Sequence, residues 1–148
     1  MPDPDAPPPA QPRRKLAVVA CMDARLDPAR ALGLEPGDAH VIRNAGGIVT
    51  DDALRSLAIS QHLLGTEEVV LIQHTDCGML KVTDEELAER LEAQTGRRPE
   101  WRAHAFSDVE ESVRDGIERV RTSPFVPHTD SVRGFVYEVE TGRLREVG

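Results

Sequence analysis

Residues Ala17–Arg25 read AVVACMDAR, and this stretch decides the fold. The run KLAVVA (Lys15–Ala20) is continuously apolar after Lys15 and rich in small and β-branched residues, as a strand buried on both faces requires. It stops at Cys21-Met22-Asp23-Ala24-Arg25. A thiol, a carboxylate and a guanidinium stand there at alternate positions, and each is costly to bury alone. Further on, the apolar run EVVLIQ (Glu68–Gln73) leads directly into HTDCGM (His74–Met79). Between the two lies AHVIRN (Ala39–Asn44), a further strand broken by Gly46-Gly47.

Helical patterns separate these runs. DPARALGL predicts a short helix with Pro28 in its first turn. DDALRSLAISQHLLG predicts a helix capped by Thr50 or Asp51 and stopped by Gly65. Leu54, Leu57, Ala58 and Leu64 keep helical spacing on it. Ala53, Ile59 and Leu63 widen the stripe beyond one core-facing side, so a second face is expected to meet a partner. Two capping-box patterns follow. Thr83-x-x-Glu86 opens a helix to about Gln94. Ser107-x-x-Glu110 opens another to about Thr122, with Val109, Val113, Ile117 and Val120 on one face. SVRGFVYEVETGRLREV alternates around Thr141-Gly142 and predicts a hairpin. The fold class is α/β: a largely parallel central sheet flanked by helices, with a C-terminal strand or hairpin added at the edge. Sites in such sheets form beyond the carboxyl ends of strands, so Cys21 and His74 are expected at one edge.

The chain has 148 residues, enough for one domain, placed at 15–148. Residues 1–14, MPDPDAPPPAQPRR, carry six prolines and little to pack, and read as an arm that is disordered or draped over a partner. A formal net charge of −8 argues against nucleic acid and against an anionic membrane surface as partners. No run is long enough to span a bilayer and none resembles a signal-peptide core, so a cytoplasmic location is expected. Cys21 and Cys77 are the only cysteines. In a reducing compartment such a pair points to metal binding or redox chemistry, not a structural disulfide.

His74-x-x-Cys77 together with Cys21 supplies an imidazole and two thiolates, a donor set suited to tetrahedral zinc. Asp23 can fill the fourth position or vacate it, and Arg25 has the planar fork to receive the freed carboxylate. Two other readings stay open: a Cys nucleophile with His74 as base, and a Cys21–Cys77 redox pair. Taken singly, a cysteine at a strand end is a small buried hydrophobe, and Asp23–Arg25 an ordinary loop ion pair. RNAGG (Arg43–Gly47) is either a turn in which glycines relieve strain or a close approach to a small ligand. In the second case Gly46 and Gly47 line the pocket and Arg43 and Asn44 brace it. His40, His62, His104 and His128 lack partners at ligand spacing and read as surface or packing residues.

CMDAR, VIRNAGG and HTDCGM, in that order, resemble the β-class carbonic anhydrases of the small bacterial type. The likeness is close over Lys15–Leu80 and looser beyond. It implies a Zn2+ held by Cys21, His74 and Cys77, with Asp23 as fourth ligand in a closed state. It implies that Asp23 and Arg25 form the catalytic dyad that releases or blocks the fourth position. Charge counting adds an expectation: carboxylate and hydroxide bring the same charge to a zinc with two thiolates, so activity should rise with pH as hydroxide displaces Asp23. The implied reaction is reversible hydration of carbon dioxide to bicarbonate and a proton, in a homodimer or a higher multiple of dimers. Some members hydrolyse carbon disulfide or carbonyl sulfide instead, and a zinc-binding regulatory protein without turnover is a further alternative. The chain has one tryptophan, one tyrosine and three phenylalanines. Trp101 and Phe106 lie far from the motifs in sequence, which predicts an aliphatic pocket. Relatives in this family often begin with helices that embrace the partner subunit, and by that resemblance the proline-rich arm is expected to stand in their place.

Overall fold

A computed structural model describes residues 6–7 and 9–148. Five strands form one sheet: β1 (Leu16–Cys21), β2 (Ala39–Asn44), β3 (Glu68–His74), β4 (Ser131–Glu138) and β5 (Arg143–Val147). Their order is β2-β1-β3-β4-β5. The first four are parallel, and β5 returns antiparallel to β4. The α/β class and the terminal hairpin are as the sequence predicts. β1 and β3 each run one residue further than expected, so Cys21 and His74 are the last residues of their strands.

β1 sits between β2 and β3 and buries every residue, which is why its sequence does not alternate. Successive side chains still point to opposite faces. Ala17, Val19, Val69, Leu71, Val132 and Val136 pack with Leu57, Val113, Ile117 and Val120. Leu16, Val18, Ala20, Val70 and Ile72 join Cys21, Leu26 and Cys77 on the other side, with Met79 and Phe106 against them. The described residues form four helices, α1 (Pro28–Leu32), α2 (Asp51–Leu64), α3 (Asp84–Thr95) and α4 (Val109–Thr122), of which α2 and α4 pack on the sheet. α4 lies directly on β4: a Cβ at Gly134 would overlap Val113 and sit 2.9 Å from Ile117 Cδ1.

Some local readings change. α2 is capped by Thr50 and stopped by left-handed Gly65 as expected, but its buried stripe is Ala53, Leu57, Ser60 and Gln61. Polar partners permit this. Ser60 Oγ meets Thr66 Oγ1 at 2.6 Å and His40 Nδ1 at 2.7 Å. Gln61 exchanges hydrogen bonds of 3.0 and 2.9 Å with the backbone of His128. His40 and His128 are thus packing residues, and Leu63 is left 72% exposed. α4 is capped by Asp108, not Ser107: its carboxylate accepts from the N–H groups of Glu110 and Glu111. A charged acceptor at the positive end of the helix is the stronger cap.

The start of the body lies upstream of residue 15. Arg13 N donates to Gly37 O and Arg14 N to Asp38 O, both at 3.0 Å. Both guanidinium groups also reach Asp38, at 3.2 and 3.3 Å. The rest of the expected arm falls partly on residues 1–5 and 8, outside the described residues.

Candidate metal centre

Adjacent parallel strands end at the same edge, and this brings Cys21 and His74 together. Cys77 follows β3 after a tight turn in which Asp76 has φ +52°. Cys21, His74 and Cys77 are all buried, and their ligand atoms lie within 4.8 Å of one another. Cys21 Sγ stands 3.2 Å from His74 Nε2. The Thr75 carbonyl accepts from His74 Nδ1 at 2.7 Å, which turns Nε2 towards the sulfur atoms.

The electrostatics favour anionic sulfur. Cys77 donates to Cys21, with His74 and the backbone N–H groups of Asp23 and Gly46 adding to it, and together they hold the Cys21 thiol far below its ordinary pKa. Cys77, as the donor to that thiolate and itself buried, is pushed up. Burial opposes a charge on His74, but the Cys21 sulfur, the Thr75 carbonyl and Asp23 outweigh it and raise its pKa.

Asp23 and Arg25 form a two-pronged pair. Arg25 Nε donates to Asp23 Oδ1 at 3.0 Å and Nη2 to Oδ2 at 2.9 Å. The Arg25 backbone N–H also donates to Oδ1, at 2.8 Å. These bonds hold the Asp23 carboxyl well below the usual carboxylate range. Its Oδ2 nevertheless lies 3.7 Å from His74 Nε2. A carboxylate oxygen is therefore fixed beside the sulfur–imidazole cluster while its charge is balanced by arginine.

Arg43 and Asn44 brace this edge from β2. Arg43 donates to the carbonyls of Cys21 (2.8 and 3.0 Å), Asp23 (2.9 Å) and Leu26 (2.7 Å). Asn44 exchanges two 2.9 Å bonds with the Ile48 backbone. Gly47, at φ +64°, approaches strand backbone: an added Cβ would sit 2.7 Å from Cys21 N and 2.8 Å from Ile72 O. At Gly46 it would meet Met79 Cγ at 3.1 Å and Phe106 Cε1 at 3.4 Å. Phe106 N donates to Met79 O at 3.2 Å. The expectation that Phe106 lies far from the motifs is thus corrected: the chain folds it back against them. Trp101 is 63% exposed.

The sequence pattern of the family described as carbonic anhydrase matches residues 16–144. β-Carbonic anhydrase 1 of Mycobacterium tuberculosis is 53% identical over 139 residues, covering 94% of this chain and 85% of that protein. The chain belongs to the β-carbonic anhydrases. The crystal structure of carbonic anhydrase from Streptococcus mutans superposes with a TM-score of 0.92 at 46% identity, covering 97% of this chain and 87% of that one. A carbon disulfide hydrolase from Acidianus is also similar, 39% identical over 157 residues, covering 90% of this chain and 77% of that protein.

Zinc fits this β-carbonic anhydrase site on its own chemistry. Two sulfur atoms and an imidazole nitrogen converge, the nitrogen is oriented by a carbonyl, and N–H groups support the thiolates. Cys21, His74 and Cys77 would hold the ion. Asp76 is the residue that sequence reasoning passed over. It accepts from Arg25 Nη1 at 3.0 Å, and Lys81 Nζ lies 2.8 Å from its other oxygen. Its signal was a carboxylate inside the His74–Cys77 spacer, with Arg25 as the cation to meet it.

Proposed function

We propose that the protein catalyses reversible hydration of carbon dioxide to bicarbonate and a proton, with zinc held by Cys21, His74 and Cys77. The observation that carries this reading is the Asp23 carboxylate, gripped by Arg25 yet 3.7 Å from His74 Nε2. A purely structural zinc site needs no such group beside it. Bound zinc acidifies water and so supplies a hydroxide nucleophile near neutral pH. Asp23 accepts the hydrogen of the attacking oxygen and leaves its lone pair free for the substrate carbon. Arg25 keeps Asp23 ionised and fixed in direction. Arg43 ties the turn that carries both. Gly46, Met79 and Phe106 form the apolar wall for a small, uncharged substrate, and Gly47 seats that wall against the sheet. The test is carbon dioxide hydration by zinc-loaded protein. A fully loaded protein without turnover would remove the enzymatic reading in favour of zinc-dependent binding.

The likeness to a carbon disulfide hydrolase favours one second reading, hydrolysis of carbon disulfide or carbonyl sulfide at the same wall. Release of sulfide at a rate exceeding carbon dioxide hydration would establish it.

The assembly we propose is a homodimer or a multiple of dimers, joined on the α2 side. A groove of about 670 Å3 runs there, lined by Leu54, Ala58, Ile59 and Phe125. Light scattering that finds a monomer at micromolar concentration would refute it. We place the protein in the cytoplasm, because its two cysteines are unpaired thiols. Among the described residues, no helix is long and apolar enough to cross a membrane.

A further inference from the structure

Arg25 lies on an exposed turn and is held from two sides. Its Nε and Nη2 take the two Asp23 oxygens at 3.0 and 2.9 Å. Its Nη1 donates to Asp76 Oδ2 at 3.0 Å, and Nη2 donates a second hydrogen to the Asp76 carbonyl at 2.9 Å. The left-handed backbone of Asp76, φ +52°, turns its carbonyl and carboxylate onto the same guanidinium. Lys81 Nζ, 2.8 Å from Asp76 Oδ1, holds that carboxylate in turn.

The two carboxylates do not compete. Nε and one Nη2 hydrogen serve Asp23; Nη1 and the other Nη2 hydrogen serve Asp76. Two cations and two anions alternate along the chain Lys81–Asp76–Arg25–Asp23. A guanidinium held only by Asp23 would keep its side-chain rotamer freedom, and Asp23 would move with it. We infer that Asp76, braced by Lys81, is a positioning residue that holds Arg25 from the side opposite Asp23 and so fixes the Asp23 oxygen beside His74 Nε2. This rests on the role given to Asp23 in the proposed reaction.

Asp76→Asn, Asp76→Gly, Lys81→Met and Lys81→Arg in the full zinc-loaded protein test it. Asn and Gly both tolerate the left-handed backbone, so the turn survives. Four quantities are read: zinc content, the Arg25 guanidinium signals by NMR (assigned with Arg25→Lys), X-ray absorption at the zinc edge, and kcat with KM. Zinc content should stay at the parent level. Asp76→Gly keeps the backbone carbonyl that Nη2 meets but should free the Arg25 Nη1 protons to exchange and lower kcat about tenfold with KM little changed, as expected for losing a charge-assisted contact. Asp76→Asn should fall in between. Lys81→Met should cost about threefold, the size of a weak surface ion pair, and Lys81→Arg should behave as the parent. The zinc-edge spectrum should show a carboxylate in place of the solvent oxygen in Asp76→Gly, with the number of oxygen neighbours unchanged, as Asp23 turns towards the metal. Parent-like kcat with Arg25 signals still protected would overturn the inference, and so would a raised kcat. Loss of zinc from Asp76→Asn would overturn it too, by assigning Asp76 to the integrity of the metal site. If the parent does not hydrate carbon dioxide, the functional reading fails separately. The Arg25 signals and the absorption edge then still decide whether Asp76 positions the pair.

Discussion

β1 buries all six of its residues, whereas α3, twelve residues long, buries none. The two regions meet at the site. β1 and β3 deliver Cys21 and His74 by strand ends whose register is set across the sheet. α3 and the segment after it deliver Phe106 by a long excursion, tied back mainly through polar contacts. Ala105 N donates to Asp84 Oδ1 at 2.7 Å, and Phe106 N to Met79 O at 3.2 Å. The difference teaches where tolerance lies. Groups that need sub-ångström placement sit on packed strands (Cys21, His74) or within four residues of their ends (Asp23, Arg25, Cys77), and the wall that needs only shape is carried by the looser part.

The largest expected effect falls on the strand-end side. Cys77→Ala should abolish zinc binding and activity, because Cys21 and His74 alone leave one of the three protein ligands of a catalytic site missing. Metal analysis together with the hydration assay checks this, and full zinc occupancy in the variant would sink the ligand assignment.

One substitution made in both regions sharpens the contrast. Gly47 and Gly96 both have left-handed backbone, φ +64° and +79°. A Cβ at Gly47 meets strand backbone at 2.7 and 2.8 Å, while at Gly96 nothing lies within 4 Å. Gly47→Ala should cost about 3 kcal/mol, from backbone strain plus overlap that the sheet cannot relieve. Gly96→Ala should cost about 1 kcal/mol, the left-handed penalty alone. Urea unfolding of the two variants measures the difference, and equal costs would show that the sheet edge yields.

Strand-end chemistry was readable because it is local. The CMDAR and HTDCGM motifs each hold their groups within a few residues, and parallel pairing brings the two together. Residue spacing could not show that Phe106 returns to Gly46 and Met79, because a helix and a loop intervene. It also missed part of the face of α2. Leu57 is core as its spacing predicts, but Ser60 and Gln61 share the buried stripe with it, because they find partners in Thr66, His40 and the His128 backbone. Asp108 replaced Ser107 as the α4 cap for a local reason, the better acceptor being one residue later.

Acid should separate a tie at the edge of the sheet from the core. The Glu35 amide, with Arg14 and Arg13 beside it, holds the Asp38 carboxyl below the usual carboxylate range. A carboxylate depressed on folding contributes stability that is whole above the ordinary aspartate pKa. That contribution is lost as pH falls through the lowered folded value. Asp38→Asn should therefore be less stable than the parent near neutrality, and the gap should close in strong acid. Urea midpoints across that range check it; a gap constant with pH would show that the bonds to Asp38, and not its charge, matter.

The smallest effect belongs to α3. Leu91 is only half-buried, so Leu91→Ala should change global stability by less than about 1 kcal/mol, against the 2–5 kcal/mol typical of a buried leucine. Its consequence should be local. Trp101 is the only tryptophan and lies beyond the end of α3, so its fluorescence reports the excursion, while circular dichroism follows the whole fold. If the excursion opens ahead of the sheet, the two signals separate along a urea titration. Leu91→Ala should move the Trp101 midpoint to lower urea and leave the dichroism midpoint and zinc content in place. Activity should follow the Trp101 signal, because opening withdraws Phe106 from Met79 without touching the ligands. Coincident transitions in parent and variant would mean that the excursion unfolds only with the sheet. The division between a rigid site and a looser wall would then fail, and Phe106 would have to be counted with the strands.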